Sequence, residues 1–324
     1  MNIVIAGAGS IGCFCGALLA AAGHSVTLLG RARVLNAIRG QGLTVTDFSN
    51  LHRHVAAAQL TLSENPACLG DAELVIVTVK TGATAEMATL IAAHATETAP
   101  VLSWQNGLEN ARTLRTALPG RDVRAGMVPF NVVPTGPATY HRATSGEIVI
   151  EHGSRFLAER LSAPDLPVSE SDQIEAVQSG KLVINLNNAL NALSGLTLQN
   201  QLLDRNWRRL MADQMAEAQR VLKVAEIEAT STTPLPAWMT PHILRLPTPI
   251  FTRIAAKMLT IDPNARTSMA YDLTAGRPTE IDSLQGEIIK LGQQYAIPTP
   301  INSRVSQLIH QSPDTPLTVD QIIT

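Results

Sequence analysis

The stretch Gly7-Ala8-Gly9-Ser10-Ile11-Gly12 constrains this chain more than any other. It follows the branched apolar run Ile3-Val4-Ile5-Ala6, which has the length of a buried parallel strand, and it opens into a helical pattern over Ile11 to Ala22. A strand, a G-x-G-x-x-G turn and a helix, in that order, form a dinucleotide-binding fingerprint. Gly7 permits the tight turn, Gly9 lets the backbone approach a pyrophosphate, and Gly12 lets the helix pack close to the strand. The free N–H groups at Ser10 and Ile11 and the positive end of the helix then hold the phosphates. A plain glycine-rich turn has the same letters; the flanking strand and helix favour the fingerprint.

The uncharged run from Ile3 to Gly23 has a rival reading as a signal peptide or membrane span. Met1-Asn2 supplies no basic leader, and Gly7, Gly9, Gly12 and Gly16 interrupt the run, so export is not expected. No other stretch is apolar for long enough to span a bilayer, so no membrane partner and a cytoplasmic location are expected. The chain has 324 residues, enough for two domains of roughly 100–200 residues each. Hydrophobic residues make up 45% and charged residues 16%, which supports a large core and excludes disorder. A net charge of -2 with 3% aromatics gives neither a basic footprint nor a stacking platform for nucleic acid. Cys13, Cys15 and Cys68 are an odd, sparse set, which points to a reducing compartment and away from disulfides or a metal site.

Ser25 to Leu29 reads as the second strand. An NAD-binding unit carries an Asp or Glu at its end for the ribose 2′-hydroxyl. Here Gly30-Arg31-Ala32-Arg33 stands there, and no acid occurs before Asp47. A cation suits a 2′-phosphate, so Arg31 points to NADP; two solvated arginines are the plainer alternative. Leu43–Thr46 and Gln59–Leu62 read as short strands, and Glu73–Val79 as a strong buried one with Lys80 at its carboxyl end. Ligands of open α/β sheets sit outside the carboxyl ends of strands, so Lys80 is either a cofactor or substrate-anion contact or a solvated strand-end lysine. Glu86–Ala95 reads as a helix, and Pro100–Trp104 as a strand running into Gln105-Asn106-Gly107, where Asn106 is again at a strand end or a turn residue only. Val123–Pro129 adds another strand. The alternation predicts an α/β doubly wound parallel sheet of Rossmann type over residues 1–172. Glu147–Glu151 alternates as an antiparallel edge strand would.

Residues 173–324 read as an all-helical second domain. One long helix is expected over 174–195. Lys181, Asn185 and Asn188 share one of its faces, a polar cleft wall or an ordinary wet face, beside an apolar stripe of Leu182, Leu186, Leu190 and Leu193. A second helix is expected over 206–229. The stretch 230–263, with Pro234, Pro236, Pro241, Pro247, Pro249 and Pro263, reads as short helices or irregular chain, a candidate lid or subunit contact. Thr279 and Asp282 fit a capping box before a helix buried through Ile281, Leu284, Ile288 and Leu291, which would put Glu280 in its first turn.

These motifs together resemble the ketopantoate reductases, the 2-dehydropantoate 2-reductases, over essentially the whole chain. The resemblance rests on Gly7-x-Gly9-x-x-Gly12, Arg31, Lys80, Asn106-Gly107, Lys181-Leu-x-x-Asn185, Ser268-Met269 and Gly276-Arg277-Pro278-Thr279-Glu280-Ile281-Asp282. It implies a Rossmann domain and a helical domain with the active site between them. It implies NADPH-dependent reduction of 2-dehydropantoate to pantoate on the route to coenzyme A. It assigns Lys181 as general acid, Asn106 to the nicotinamide and substrate, and Asn185, Ser268 and Glu280 to the substrate. Arg31 would hold the 2′-phosphate. The substrate would be a small anionic 2-oxo acid, and a homodimer is allowed. Two departures stand out: Ala189 occupies the place of a second substrate asparagine, with Asn188 next to it, and the proline-rich stretch lengthens the second domain. Another branched 2-oxo acid, or a non-catalytic NADP(H)-binding regulator, are the competing readings. A lysine of ordinary pKa, about 10.4, is protonated at neutral pH and can both polarise a carbonyl and deliver a proton.

Overall fold

The computed structural model describes residues 1–231, 236–259 and 261–324. Residues 232–235 and 260 of the proline-rich stretch, Pro234 among them, lie outside the described residues. The chain forms two units, Met1–Ile174 and Glu175–Thr324.

The first unit is built on a sheet of strands β1 (Asn2–Ala6), β2 (Ser25–Leu29), β5 (Leu60–Ser63), β6 (Leu74–Val77), β7 (Val101–Ser103), β8 (Val123–Met127), β11 (Ile148–Glu151) and β12 (Val168–Ser171). Their order is β12-β11-β8-β7-β6-β1-β2-β5. The pairs from β5 across to β8 are parallel, in registers such as Ile3 opposite both Val26 and Leu74. Successive residues of β1 feed opposite faces. Ile3 and Ile5 pack with Phe14 and Leu18, whereas Val4 and Ala6 pack with Val75, Met87 and Ile91. Each such buried Ile, Val, Leu, Met or Phe side chain is worth about 1.5–3 kcal/mol relative to water.

Helix α1 (Ser10–Ala21) explains the uncharged N-terminal run. It packs on the large sheet and also beneath a second sheet of order β4-β3-β10-β9, made of β3 (Leu43–Asp47), β4 (His52–Val55), β9 (Val132–Gly136) and β10 (Thr139–Arg142). Covered on both sides, it buries every residue from Gly12 to Leu19 and needs no polar face. Arg142 of β10 stacks its guanidinium over Phe14 and Phe130 at 5.3 and 5.5 Å from the ring centroids. The remaining helices of this unit are α2 (Ala32–Gln41), α3 (Thr84–His94), α4 (Glu109–Ala117) and α5 (Leu157–Leu161).

Several expectations need correction. The strand at Leu43 belongs to the second sheet, where it pairs with β4 and β10. β6 ends at Val77 instead of Val79. β11 is antiparallel to β8 as expected, but β12 pairs with its other side, so it is not the edge.

The second unit is helical. The expected helix over 174–195 is two, α6 (Ile174–Asn185) and α7 (Asn187–Ser194). Leu186 between them keeps right-handed dihedrals (φ -56°, ψ -28°) as the N-cap of α7, and its carbonyl also accepts from the Gln285 amide at 2.7 Å. The stripe Leu182, Leu186, Leu190 and Leu193 runs buried across the interruption. After α8 (Leu198–Leu203), helix α9 (Arg205–Val224) starts on the Asp204 side-chain cap and ends five residues before position 229. It ends there because Glu226 turns left-handed (φ 57°) and Ile227 N–H reaches back to the Leu222 carbonyl at 2.9 Å. The described part of the proline-rich stretch forms α10 (Thr240–Leu244), α11 (Thr248–Ile254) and two 3₁₀ turns. Arg208 of α9 holds it in place. This fully buried guanidinium donates to the carbonyls of Leu202, Leu203, Leu244 and Leu246 and to Thr248 Oγ1, and lies 4.3 Å from the Phe251 ring centroid. The chain closes with α12 (Ser268–Thr274), α13 (Ile281–Gln294), α14 (Pro300–Gln311) and α15 (Val319–Ile323). The capping box of Thr279 and Asp282 does not form. Glu280 is the N-cap of α13 and makes no side-chain cap bond, while Asp282 lies 3.1 Å from His310 Nε2.

Candidate active site

The glycine loop has the geometry its residues call for. Gly7 adopts φ +124°, and a Cβ there would meet Val79 N at 2.7 Å. A Cβ on Gly12 would lie 2.2 Å from the Gly7 carbonyl, so only glycine lets α1 approach β1 this closely. That carbonyl also accepts a hydrogen bond from Thr78 Oγ1 at 2.6 Å. At Gly9, by contrast, nothing lies within 4 Å of a built Cβ, so that side of the loop is open. Helix α1 starts there with no side-chain cap and no acidic residue in its first turn. The N–H groups of its first turn, at Ser10, Ile11 and Gly12, therefore have no anionic neighbour on their own helix and favour an anion. The open Gly9 and the uncapped helix fit a dinucleotide pyrophosphate.

Three further sequence-predicted residues share an edge with this loop. β2, β1, β6 and β7 are consecutive and parallel, so their carboxyl ends lie on one side of the sheet. Arg31 follows β2, Lys80 follows β6 and Asn106 follows β7. Arg31 is the exposed N-cap of α2 and makes no ion pair among the described residues. Lys80 is exposed and precedes the 3₁₀ turn Thr81–Ala83. Asn106 is half-buried, and its carbonyl accepts from Asn110 Nδ2 at 2.6 Å.

The remaining predicted residues gather around the α6–α7 junction. Lys181 and Asn185 sit one turn apart on α6, on the same face. Asn188, expected on that face, lies beyond the break on α7. Lys181 departs from the ordinary lysine assumed above: desolvation by burial lowers its pKa from 10.5 to about 8. Ser268 opens α12, whose preceding residue Thr267 is tied to α7 twice. Thr267 N–H donates to Asn191 Oδ1 and its hydroxyl to the Asn188 carbonyl, both at 3.0 Å. Glu280 starts α13, which Gln285 anchors to the Leu186 carbonyl next to Asn185. The turn before Glu280 is fixed in turn: Gly276 adopts φ +60°, and Arg277 bonds Asp272 through its guanidinium at 2.9 Å and its N–H at 2.8 Å. Asn188 is thus a main-chain anchor for α12, and Ala189 is fully buried in the core.

The residues that set this arrangement were not singled out from the sequence: Asn191, Thr267, Gln285 and Gly180. Gly180 immediately precedes Lys181, and a Cβ there would lie 1.8 Å from the Thr230 carbonyl. The segment after α9 crosses α6 at that point, with Thr230 N–H bonded to the Ala176 carbonyl at 2.8 Å. A glycine inside a helix costs about 1 kcal/mol relative to alanine, and that cost was the available signal. A cavity of about 520 Å³ also opens on the second sheet, lined by Asp47, His52, Arg53, Arg142 and Asp165 among others. It shares no residue with the candidate site. Its charges already face one another, Arg142 with Asp47 at 2.6 Å and Arg53 with Asp165 at 3.5 Å. Among the described residues no His, Cys, Asp and Glu cluster could hold a metal ion, and no helix is long and apolar enough to cross a membrane.

Comparison with known proteins matches both units. Residues 3–155 match the family model described as ketopantoate reductase PanE/ApbA, and residues 173–312 its C-terminal counterpart. The 2-dehydropantoate 2-reductase of Halobacterium salinarum is 26% identical over 318 residues, covering 95% of this chain and 98% of that protein. Among solved structures, a PanE/ApbA family ketopantoate reductase from Ralstonia eutropha JMP134 superposes with a TM-score of 0.81 at 30% identity, over the whole of both chains. A D-mandelate dehydrogenase solved with NADH and anilino(oxo)acetate superposes with a TM-score of 0.78 at 22% identity, over the whole of both chains, a likeness of fold.

Proposed function

Because this chain belongs to the ketopantoate reductase PanE/ApbA family, we propose that it reduces 2-dehydropantoate to pantoate with NADPH. The observation that carries the proposal is Lys181, a lysine held near pKa 8 one helical turn from Asn185. The Gly7–Gly12 loop would hold the cofactor pyrophosphate, Arg31 the 2′-phosphate, and Lys80 and Asn106 the part nearer the reaction. Bound there, the nicotinamide supplies the hydride that reduces the substrate's C2 carbonyl.

The chain's own residues then have distinct tasks. Negative charge grows on the carbonyl oxygen as it is reduced, and a donor aimed at that oxygen stabilises it. Lys181 Nζ is that donor and passes its proton to the oxygen, giving the alcohol. With a pKa about one unit above neutral, roughly nine lysines in ten are charged at pH 7, and the proton leaves more readily than from an ordinary lysine. Asn106, Asn185 and Ser268 hold the carbonyl and carboxylate without adding charge. Glu280 accepts a hydrogen bond from the substrate hydroxyl. A second reading, reduction of another branched 2-oxo acid, draws on Ala189, a buried apolar residue in place of a substrate-side asparagine.

The test is a panel of 2-oxo acids assayed with NADPH and NADH. 2-Dehydropantoate with NADPH should give the highest kcat/KM. A different acid at the top would move the assignment to that acid. Tight NADPH binding with no turnover of any acid would favour a regulator.

A further inference from the structure

A chain of buried polar side chains lies beneath the loops that carry Lys80 and Asn106. Ser103 ends β7, and its hydroxyl donates to Gln105 Oε1 at 3.0 Å. Gln105 Nε2 donates to the Val79 carbonyl at 2.9 Å and to Thr84 Oγ1 at 2.7 Å. The Thr84 hydroxyl donates to Asn110 Oδ1 at 2.7 Å. Asn110 Nδ2 donates to the Asn106 carbonyl at 2.6 Å and to Thr81 Oγ1 at 3.1 Å. All four side chains, Ser103, Gln105, Thr84 and Asn110, are buried.

The relay ends on two points. Val79 immediately precedes Lys80, and Asn106 is itself a predicted contact. The loop leaving β6 and the loop leaving β7 are thus joined through side-chain amides, where main-chain pairing has already ended. Both N–H groups of each amide have an acceptor, so amide orientation and loop position fix each other. Buried polar networks that are fully connected rigidify what they hold, and in a low dielectric their bonds reinforce one another. An apolar plug would fill the same space but would leave the Val79 and Asn106 carbonyls without these partners.

We propose that Gln105, Thr84 and Asn110 are positioning residues, an amide–hydroxyl–amide relay that sets Lys80 and Asn106 jointly toward the cofactor and the 2-oxo acid. This rests on the reductase reading for the substrate, and on the glycine loop alone for the cofactor. Thr84 is the tighter link, since its hydroxyl accepts from Gln105 and donates to Asn110, both at 2.7 Å, whereas the direct bond from Gln105 Nε2 to Asn110 Oδ1 is 3.4 Å.

The experiment compares Thr84→Val, which removes the hydroxyl at nearly constant shape, with Thr84→Ser, which keeps it. NADPH dissociation constants by fluorescence titration, steady-state kinetics and melting temperature are measured for both and for the parent. Thr84→Val should raise the NADPH dissociation constant three- to tenfold and lower kcat/KM at least tenfold, with Thr84→Ser within about twofold of the parent. Asn110→Asp, which sets a carboxylate oxygen against the Asn106 carbonyl, should repeat the loss and serves if Thr84→Val does not fold. Variants that melt lower but keep both constants within twofold would overturn the proposal. So would equal losses in Thr84→Val and Thr84→Ser, which would assign the effect to packing. If the parent reduces no 2-oxo acid, the reductase reading fails, and the NADPH constants still decide the relay.

Discussion

The lowered pKa of Lys181 makes the pH profile of reduction a direct test of its role. The displacement from 10.5 to about 8 corresponds to about 3 kcal/mol against the charged form, set by desolvation. As the proposed acid, Lys181 must carry its proton for reduction. The rate should therefore be level below about pH 7 and fall through pH 8, approaching tenfold per pH unit above it. At pH 9 about one enzyme in ten would carry the proton, whereas a lysine of ordinary pKa would keep it in more than nine of ten. Alcohol oxidation needs the neutral amine and should rise through the same pH. The assay is kcat/KM for 2-dehydropantoate at saturating NADPH from pH 6 to 10, with cofactor affinity measured at each pH so that loss of binding is seen separately. Stability carries the same signature. Between pH 8 and 10.4 the unfolded chain holds a proton that the folded chain has released, so Lys181's contribution to stability rises with pH across that window and is least favourable below pH 8. Denaturation of the parent against Lys181→Gln across pH 7 to 10 reads this slope. A rate that stays level to pH 10 would remove Lys181 as the acid or show that its charge is not desolvated.

Three further outcomes follow from the site and its support. Arg31→Ala should weaken NADPH binding by roughly 1.5–3 kcal/mol, the value of a charged hydrogen bond, and NADH binding far less; equal losses would show that Arg31 does not read the 2′-phosphate. Glu280→Gln should change the melting temperature little, because a helix-end charge is worth about 0.3–1 kcal/mol, while kcat/KM drops sharply. A destabilised variant with normal kinetics would assign it to the helix end instead. Arg208→Met removes the partner of four main-chain carbonyls, two buried and two partly buried, and should cost at least about 3 kcal/mol in urea denaturation; a loss under 1 kcal/mol would mean that water or repacking replaces the guanidinium.

The parts of the fold read correctly from sequence are those where one short pattern has one structural solution. Gly7, Gly9 and Gly12 after a branched run are such a case, and β2 matches Ser25–Leu29 to the residue. Helix α4 escaped notice because among its nine residues only Asn110, Ala111 and Leu114 are buried, too few for a visible stripe. The second sheet escaped because His52-Arg53-His54-Val55 has one apolar residue and β9 carries Pro134. The leucine stripe continues through Leu186, so its spacing predicts one unbroken helix where the chain forms two. The interruption is met by Gln285, 99 residues away, whose amide bonds the Leu186 carbonyl, a contact that no local pattern registers. The same holds for the site. The chemistry-bearing residues are visible as types at spacings, but Gln105, Thr84 and Asn110 read as loop and helix-end polar residues until burial shows them bonded to one another. The lowered pKa of Lys181 is likewise a property of its surroundings.

The crossing of Thr230 over Gly180 has a consequence for how this enzyme can be varied. The contact joins main chain to main chain, so its requirement falls on a single codon. At position 180 any side chain meets the Thr230 carbonyl, whereas at position 230 the anchoring bond is made by an N–H that every residue except proline possesses. A library that randomises 228–230 while holding Gly180 and excluding proline at 230 would therefore recolour the surface beside Lys181 without touching the Glu226 turn or the Ile227 N–H that end α9. In such a library the strap is a graftable position beside Lys181, and glycine at 180 is the one letter on which that freedom depends.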